Sequence, residues 1–200
     1  MTTTPCPVCG PAFLDWLQQD AERLAQWRAL PRRRLARGQR WPGEGLAWVE
    51  RGLLRGMFID AQGRERNHAF YPELQWLGLP GAVGAAAAVA APAIVEALEP
   101  SELVELSGPA LHALQHAWPQ ALELILRGLA AGLARQTARE QQLLMLDATA
   151  RYQRFLADEP ALAQRLALKQ VASYLGITEV ALSRLRRRLR EAGPAIGVRS

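Results

Sequence analysis

"QVASYLGITEVALSRLRRRLR", residues 170–190, decides how the rest of the chain is read. Val171, Ala172 and Leu175 fall on one face of a first helix, and Ile177, Leu182 and Leu185 on the inner face of a second. Ala172 is small enough to let the two helices cross closely. Gly176 tolerates the positive φ that a tight corner demands. Thr178 follows with a side-chain oxygen suited to capping the second helix. The pattern predicts two short helices meeting at a glycine corner, a helix-turn-helix. It turns Glu179, Val180, Ser183, Arg184, Arg187 and Arg188 outward.

A helix presented this way fits the major groove of double-stranded DNA, where arginine bonds guanine O6 and N7. Arg186 and Arg190 lie nearer the flank, for phosphates. Lys169 and Gln170, at the start of the first helix, are placed for the DNA backbone. The candidate DNA-contacting set is therefore Lys169, Gln170, Thr178, Glu179, Val180, Ser183, Arg184, Arg187 and Arg188. Charge agrees: the chain carries +5, and residues 151–200 hold ten basic side chains against four acidic ones. Lys169 is the only lysine, and arginine offers a permanent charge with a donor fork suited to phosphate. The basic helix has no strongly apolar outer face, which favours nucleic acid over a membrane surface.

Upstream, Phe13, Leu14, Leu17, Leu24 and Trp27 recur at helical spacing, predicting one or two short helices before Leu30. From Leu35 the pattern changes. Val49, Leu53, Met57, Ile59, Ala69 and Phe70 sit in short runs between turn signals at Arg51-Gly52, Gln62-Gly63 and Pro72-Glu73. An antiparallel barrel or roll is expected, closed by "IVEALEPSELVEL". From about Pro109 to Leu146 the period is helical, through Leu122, Ile125, Leu126, Leu129, Leu133, Gln136, Glu140, Leu143 and Leu144. One long helix is expected, with Gly128, Ala131 and Gly132 letting a partner helix approach. A parallel dimer seam is the reading, and packing against its own barrel is the alternative. The expected class is α+β: a β-roll over residues 1–107, a dimerisation helix over 108–147 and a helix-turn-helix unit over 148–200.

Composition excludes several classes. Cys6 and Cys9 are the only cysteines, so no disulfide framework is expected and a cytoplasmic setting is the simplest. No secretory signal is read at the N-terminus. Leu74–Val95 is uncharged and long enough to span a bilayer, but Ala and Gly dominate it and Pro80 and Pro92 break it. It reads as a packed part of a soluble domain, with no membrane partner. No Ser-His-Asp set, activated nucleophile or carboxylate pair emerges, so no enzyme is expected. The "CPVC" pair at Cys6 and Cys9 is a candidate metal or redox site, or a pair without a role. His68 stands alone, whereas His112 and His116 are four apart, a spacing that can hold a metal or haem and equally suits a surface pair.

The order of roll, long helix and helix-turn-helix, from about Leu35 to Arg190, resembles the Crp/Fnr family, the bacterial regulators related to the cyclic-AMP receptor protein. "YLGITEVALSRLRRRLR" is similar to the family's recognition segment, and "IVEALEPSELVEL" to the closing strands of its cyclic-nucleotide-binding-like roll. The resemblance implies a homodimer on a two-fold-related operator, regulating transcription, with RNA polymerase a candidate further partner. Its DNA-reading positions fall on Glu179, Val180, Ser183 and Arg184. Three departures stand out. Val180 occupies a place where many members carry glutamate. The family's β-hairpin wing is expected to be short or absent. Ala91 and Pro92 stand where cyclic-nucleotide binders of this fold carry Arg and Ser or Thr, so no cation meets a buried phosphate. Cyclic AMP and cyclic GMP are therefore not expected to bind in the usual way. Some members hold an iron–sulfur cluster on N-terminal cysteines, but four thiolates are needed and two are present. No cofactor is expected, with iron–sulfur, haem or another effector left open. The alternative reading is a protein-interaction or redox- and gas-sensing module of the same fold.

Overall fold

The computed structural model describes residues 9–42, 45–78 and 94–191, excluding the side chain of Cys9. The chain divides into two compact units, residues 1–138 and 139–200.

The first unit opens with α1 (Cys9–Gln18) and α2 (Ala21–Ala29), the helices expected before Leu30. Then come β1 (Arg32–Leu35), β2 (Arg40–Trp41), β3 (Leu46–Arg51), β4 (Leu54–Ile59), β5 (Glu65–Tyr71), β6 (Trp76–Gly78), β7 (Ile94–Ala97) and β8 (Ser101–Leu106). They form two antiparallel sheets in the orders β1-β8-β3-β6 and β2-β7-β4-β5. Strand β3 is buried at four consecutive positions because both its faces are covered. Ala47 and Val49 join Leu54, Val95 and Ala97 of the second sheet, while Leu46 and Trp48 join the aromatic cluster under the helices. In that cluster Phe13 lies 5.0 Å from Trp76 and 5.2 Å from Trp48, ring centre to ring centre.

Sheet structure starts earlier than the apolar pattern indicates. Strand β1 begins with Arg32, Arg33 and Arg34, and each meets a carboxylate: Glu50 of β3 at 3.1 Å, then Glu105 and Glu102 of the adjacent β8 at 2.6 Å and 3.2 Å. Charged side chains at a sheet edge also discourage pairing with other chains. Buried Arg55 on β4 is held the same way, 2.7 Å from Glu65 and 2.8 Å from Glu96.

The expected single long helix is two: α3 (Gly108–Ala117) and α4 (Pro119–Met145). Pro119 disfavours helical backbone at the residue before it, and Trp118 accordingly sits at φ −143°, ψ 89°. Gly128 is not a contact point for a partner helix. A Cβ there would lie 2.5 Å from Cδ1 of Trp76, so this glycine admits the helix onto its own sheet. Ala121 and Ile125 are buried on that same face. Leu126 and Leu133, seven residues apart, face away and are 55% and 65% exposed. Helix α4 thus has two apolar faces, one used within the unit.

The second unit holds the last turns of α4, then α5 (Ala148–Asp158), α6 (Pro160–Arg165), α7 (Leu168–Tyr174) and α8 (Glu179–Glu191). Its core is Tyr152, Phe155, Leu162, Leu166, Val171, Ala172, Leu175, Leu182 and Leu185, all buried. Asp147 caps α5 by accepting the Ala150 amide.

Candidate nucleic-acid interface

The corner between α7 and α8 is closed by backbone hydrogen bonds. The Ile177 amide donates to the Ala172 carbonyl at 3.0 Å and the Gly176 amide to the Ser173 carbonyl at 3.2 Å. This nested pair is the Schellman closure of a helix, which requires a left-handed residue at its centre. Gly176 fills that place at φ +73°. Two residues on, Thr178 Oγ1 accepts the Ala181 amide at 3.1 Å and starts α8, with Glu179 in the first turn where the helix dipole favours a carboxylate.

The inner face of α8 is Leu182 and Leu185, at 0% and 3% exposure, packed with Val171, Ala172 and Leu175 of the unit's core. Glu179, Val180, Ser183, Arg184, Arg187 and Arg188 are exposed together, as are Thr178 and Lys169. Gln170 is half-buried. Arg187 lies 3.7 Å from Glu191, a loose pair on an exposed surface. Arg186 is set apart, lining an open groove of about 320 Å³ with Tyr152, Phe155 and Leu166. Five arginines thus emerge from one helix whose other side is anchored by two leucines.

Two arginines that local sequence reasoning passes over brace this corner. Arg139 of α4 donates to the Tyr174 carbonyl at 2.6 Å, and its guanidinium lies 4.5 Å from the centre of the Tyr174 ring. Arg151 of α5 donates to the Leu175 carbonyl at 3.1 Å and to the Leu146 carbonyl at 2.6 Å. Their targets are the carbonyls left over where α7 and α4 end. Burial lowers the Arg139 pKa, the Tyr174 phenol raises it, and neighbouring Arg151 lowers it again. No periodicity announces these contacts, because each spans 24 residues or more or leaves the helix that carries it.

Cys6, the Cys9 side chain, Ala91, Pro92 and the residues after Glu191 lie outside the described residues. His68 is half-buried on β5 and stacks on Phe58 at 4.6 Å. His112 and His116 share the exposed side of α3. Among the described residues, no helix is long and apolar enough to cross a membrane.

No family model matches the sequence, and no curated protein matches it. Solved structures match in fold. A double mutant of CooA from Carboxydothermus hydrogenoformans is similar with a TM-score of 0.71 at 15% identity, over 94% of this chain and 88% of that one. CLP, a c-di-GMP-responsive global regulator from Xanthomonas campestris, gives 0.67 at 20% identity, over 90% and 96%. A Crp/Fnr family transcriptional regulator from Eubacterium rectale gives 0.65 at 15% identity, over 89% and 87%. The structural neighbours are consistently Crp/Fnr family regulators, and the fold of this chain is the fold they share.

Proposed function

We propose that the chain is a cytoplasmic, sequence-specific DNA-binding transcriptional regulator with α7 and α8 as its helix-turn-helix. The carrying observation is the pinned glycine corner, from which α8 buries two leucines and turns Ser183, Arg184, Arg187 and Arg188 to solvent. A rigid helix with one clean basic face is what the major groove admits. Glu179, Val180, Ser183 and Arg184 read base edges near the start of α8. Lys169, Gln170, Arg186 and Arg190 meet phosphates and supply salt-dependent affinity.

The protein works as a homodimer in this reading, with the outward stripe of α4 at Leu126 and Leu133 as the seam. Its roll does not answer cyclic AMP in the usual way, since Ala91 and Pro92 offer no phosphate partner. Titration calorimetry with cyclic AMP or cyclic GMP should register no heat.

The deciding experiment selects bound DNA from a random pool and then tests two variants against it. Arg184→Ala should cost about 1–3 kcal/mol on the selected site and relax base choice at one position. Arg190→Ala should weaken selected and random DNA alike and reduce the salt slope by about one. If both variants weaken selected and random DNA equally, the assignment of Arg184 to base reading fails. If the protein ignores duplex DNA at low salt, the whole reading fails.

A further inference from the structure

We propose that His112 and His116 form a two-nitrogen clasp for a late first-row divalent metal ion, Zn(II), Ni(II) or Cu(II), on the outer face of α3. Residues four apart on a helix share a face, and both side chains are exposed on it. Their Nε2 atoms converge to 3.2 Å. Two imidazole nitrogens bound to one ion at about 2.0–2.1 Å stand roughly 2.9 Å apart at a right angle and roughly 3.4 Å apart at the tetrahedral angle. The observed separation lies between these limits. It is too short for two nitrogens on opposite sides of one metal, which stand about 4 Å apart at such bond lengths, so the pair does not fit the two axial positions of a haem iron. The rings are inclined by 64° with centres 4.4 Å apart, so they meet at their nitrogen edges and are not stacked face to face.

The helix beneath the pair is already held in place. Ser107 caps it by accepting the Ala110 amide, Pro109 sits in its first turn, and Leu114 is buried in the tryptophan cluster with Leu111 packed beside it. Binding therefore orders two side chains on a formed helix and does not have to order the backbone, which lowers its entropic cost. No group of three or more His, Cys, Asp or Glu side chains suited to a metal occurs among the described residues. Two imidazoles with water in the remaining positions make an open, exchangeable site. Imidazole favours Cu, Ni and Zn, while Mg and Ca prefer oxygen donors. The inference is independent of the DNA-binding reading, since α3 and α8 share no residue in it.

The test is calorimetric titration of ZnCl₂ and NiCl₂ into the full, tag-free chain carrying Cys6→Ser and Cys9→Ser, which removes the competing thiols. The expected result is one metal per chain at micromolar affinity, and no heat with MgCl₂. His112→Ala and His116→Ala, each with an unchanged circular dichroism spectrum, should lose at least the roughly 10–100-fold in affinity that even outer partners of a metal site contribute. His112→Gln and His116→Gln serve as second variants should an alanine disturb the helix. Absence of zinc or nickel heat at millimolar metal overturns the proposal. So does binding that survives both His112 and His116 substitutions, which would leave the pair hydrogen-bonded only to each other.

Discussion

The guanidinium of Arg139 reaches the Tyr174 carbonyl at 2.6 Å and covers the ring of the same residue at 4.5 Å. One side chain on α4 thereby closes the carbonyl end of α7 and packs against its last residue. A hydrogen bond to a charged donor contributes about 1.5–3 kcal/mol. Arg139→Ala should lower the unfolding free energy of the protein by that order in urea. Arg139→Lys should recover only part of it, because an ammonium lacks the planar fork and stacks poorly. If the alanine variant unfolds at the wild-type urea midpoint, the brace is idle.

Gly176 should resist replacement for a backbone reason. An added Cβ meets only Leu143 Cδ2 at 3.5 Å, an ordinary contact, so space is not the obstacle. The φ of +73° is. Gly176→Ala should cost about 1–2 kcal/mol, with Asn tolerated better than Ala, as measured by thermal unfolding.

Gly128 and Gly132 share a helix but should give opposite signs. Replacing a helix-interior glycine by alanine gains about 1 kcal/mol of helix propensity. At Gly132 only Arg135 Nη2 lies near, at 3.7 Å, so Gly132→Ala should stabilise. At Gly128 the new methyl meets Trp76, which is wedged 4.9 Å from Trp48, and overpacking costs about 1–3 kcal/mol. Gly128→Ala should therefore destabilise and perturb tryptophan fluorescence. Equal effects at the two positions would refute this division of the helix.

Tyr71 sets an alkaline limit. Burial pushes its phenol up to about 12, with the Arg135 charge working against that shift. The charged form is the disfavoured one, so the folded state keeps its proton longer than the unfolded chain. The associated stability is complete below the ordinary tyrosine value of 10.0 and is lost as pH rises towards about 12. Urea midpoints should fall across that window, and Tyr71→Phe should flatten the fall.

Leu126 and Leu133 should control assembly. Each lies more than half exposed on the outward face of α4. In the proposed homodimer, Leu126→Glu with Leu133→Glu should convert dimer to monomer in sedimentation while leaving the circular dichroism spectrum intact, since neither side chain is buried in its own unit. An unchanged dimer would place the seam elsewhere.

How far the chain can be read without coordinates varies by element. The corner at residues 170–190 is legible because all its determinants are local: apolar steps, a glycine and a capping threonine within one short stretch. Strands β3, β4 and β5 are legible because each carries part of a short apolar run bounded by turn residues. Strand β1 is hidden, since three arginines look like a solvated run until Glu50, Glu105 and Glu102 are seen opposite them. The break at Trp118 was readable from Pro119 alone, yet the unbroken helical period on either side masks it.

Local chemistry in the sequence determined the glycine corner with its threonine cap, which side of α8 is basic, and the chain's mixed helix-and-strand class. Only tertiary structure decided that Gly128 serves Trp76 and not a second chain, that Arg139 and Arg151 brace the corner, and that two histidine nitrogens meet at 3.2 Å. The physical reason is range. Capping, turn conformation and amphipathic period act within a few residues, whereas packing and ion pairing choose partners across the fold, where sequence spacing carries no distance.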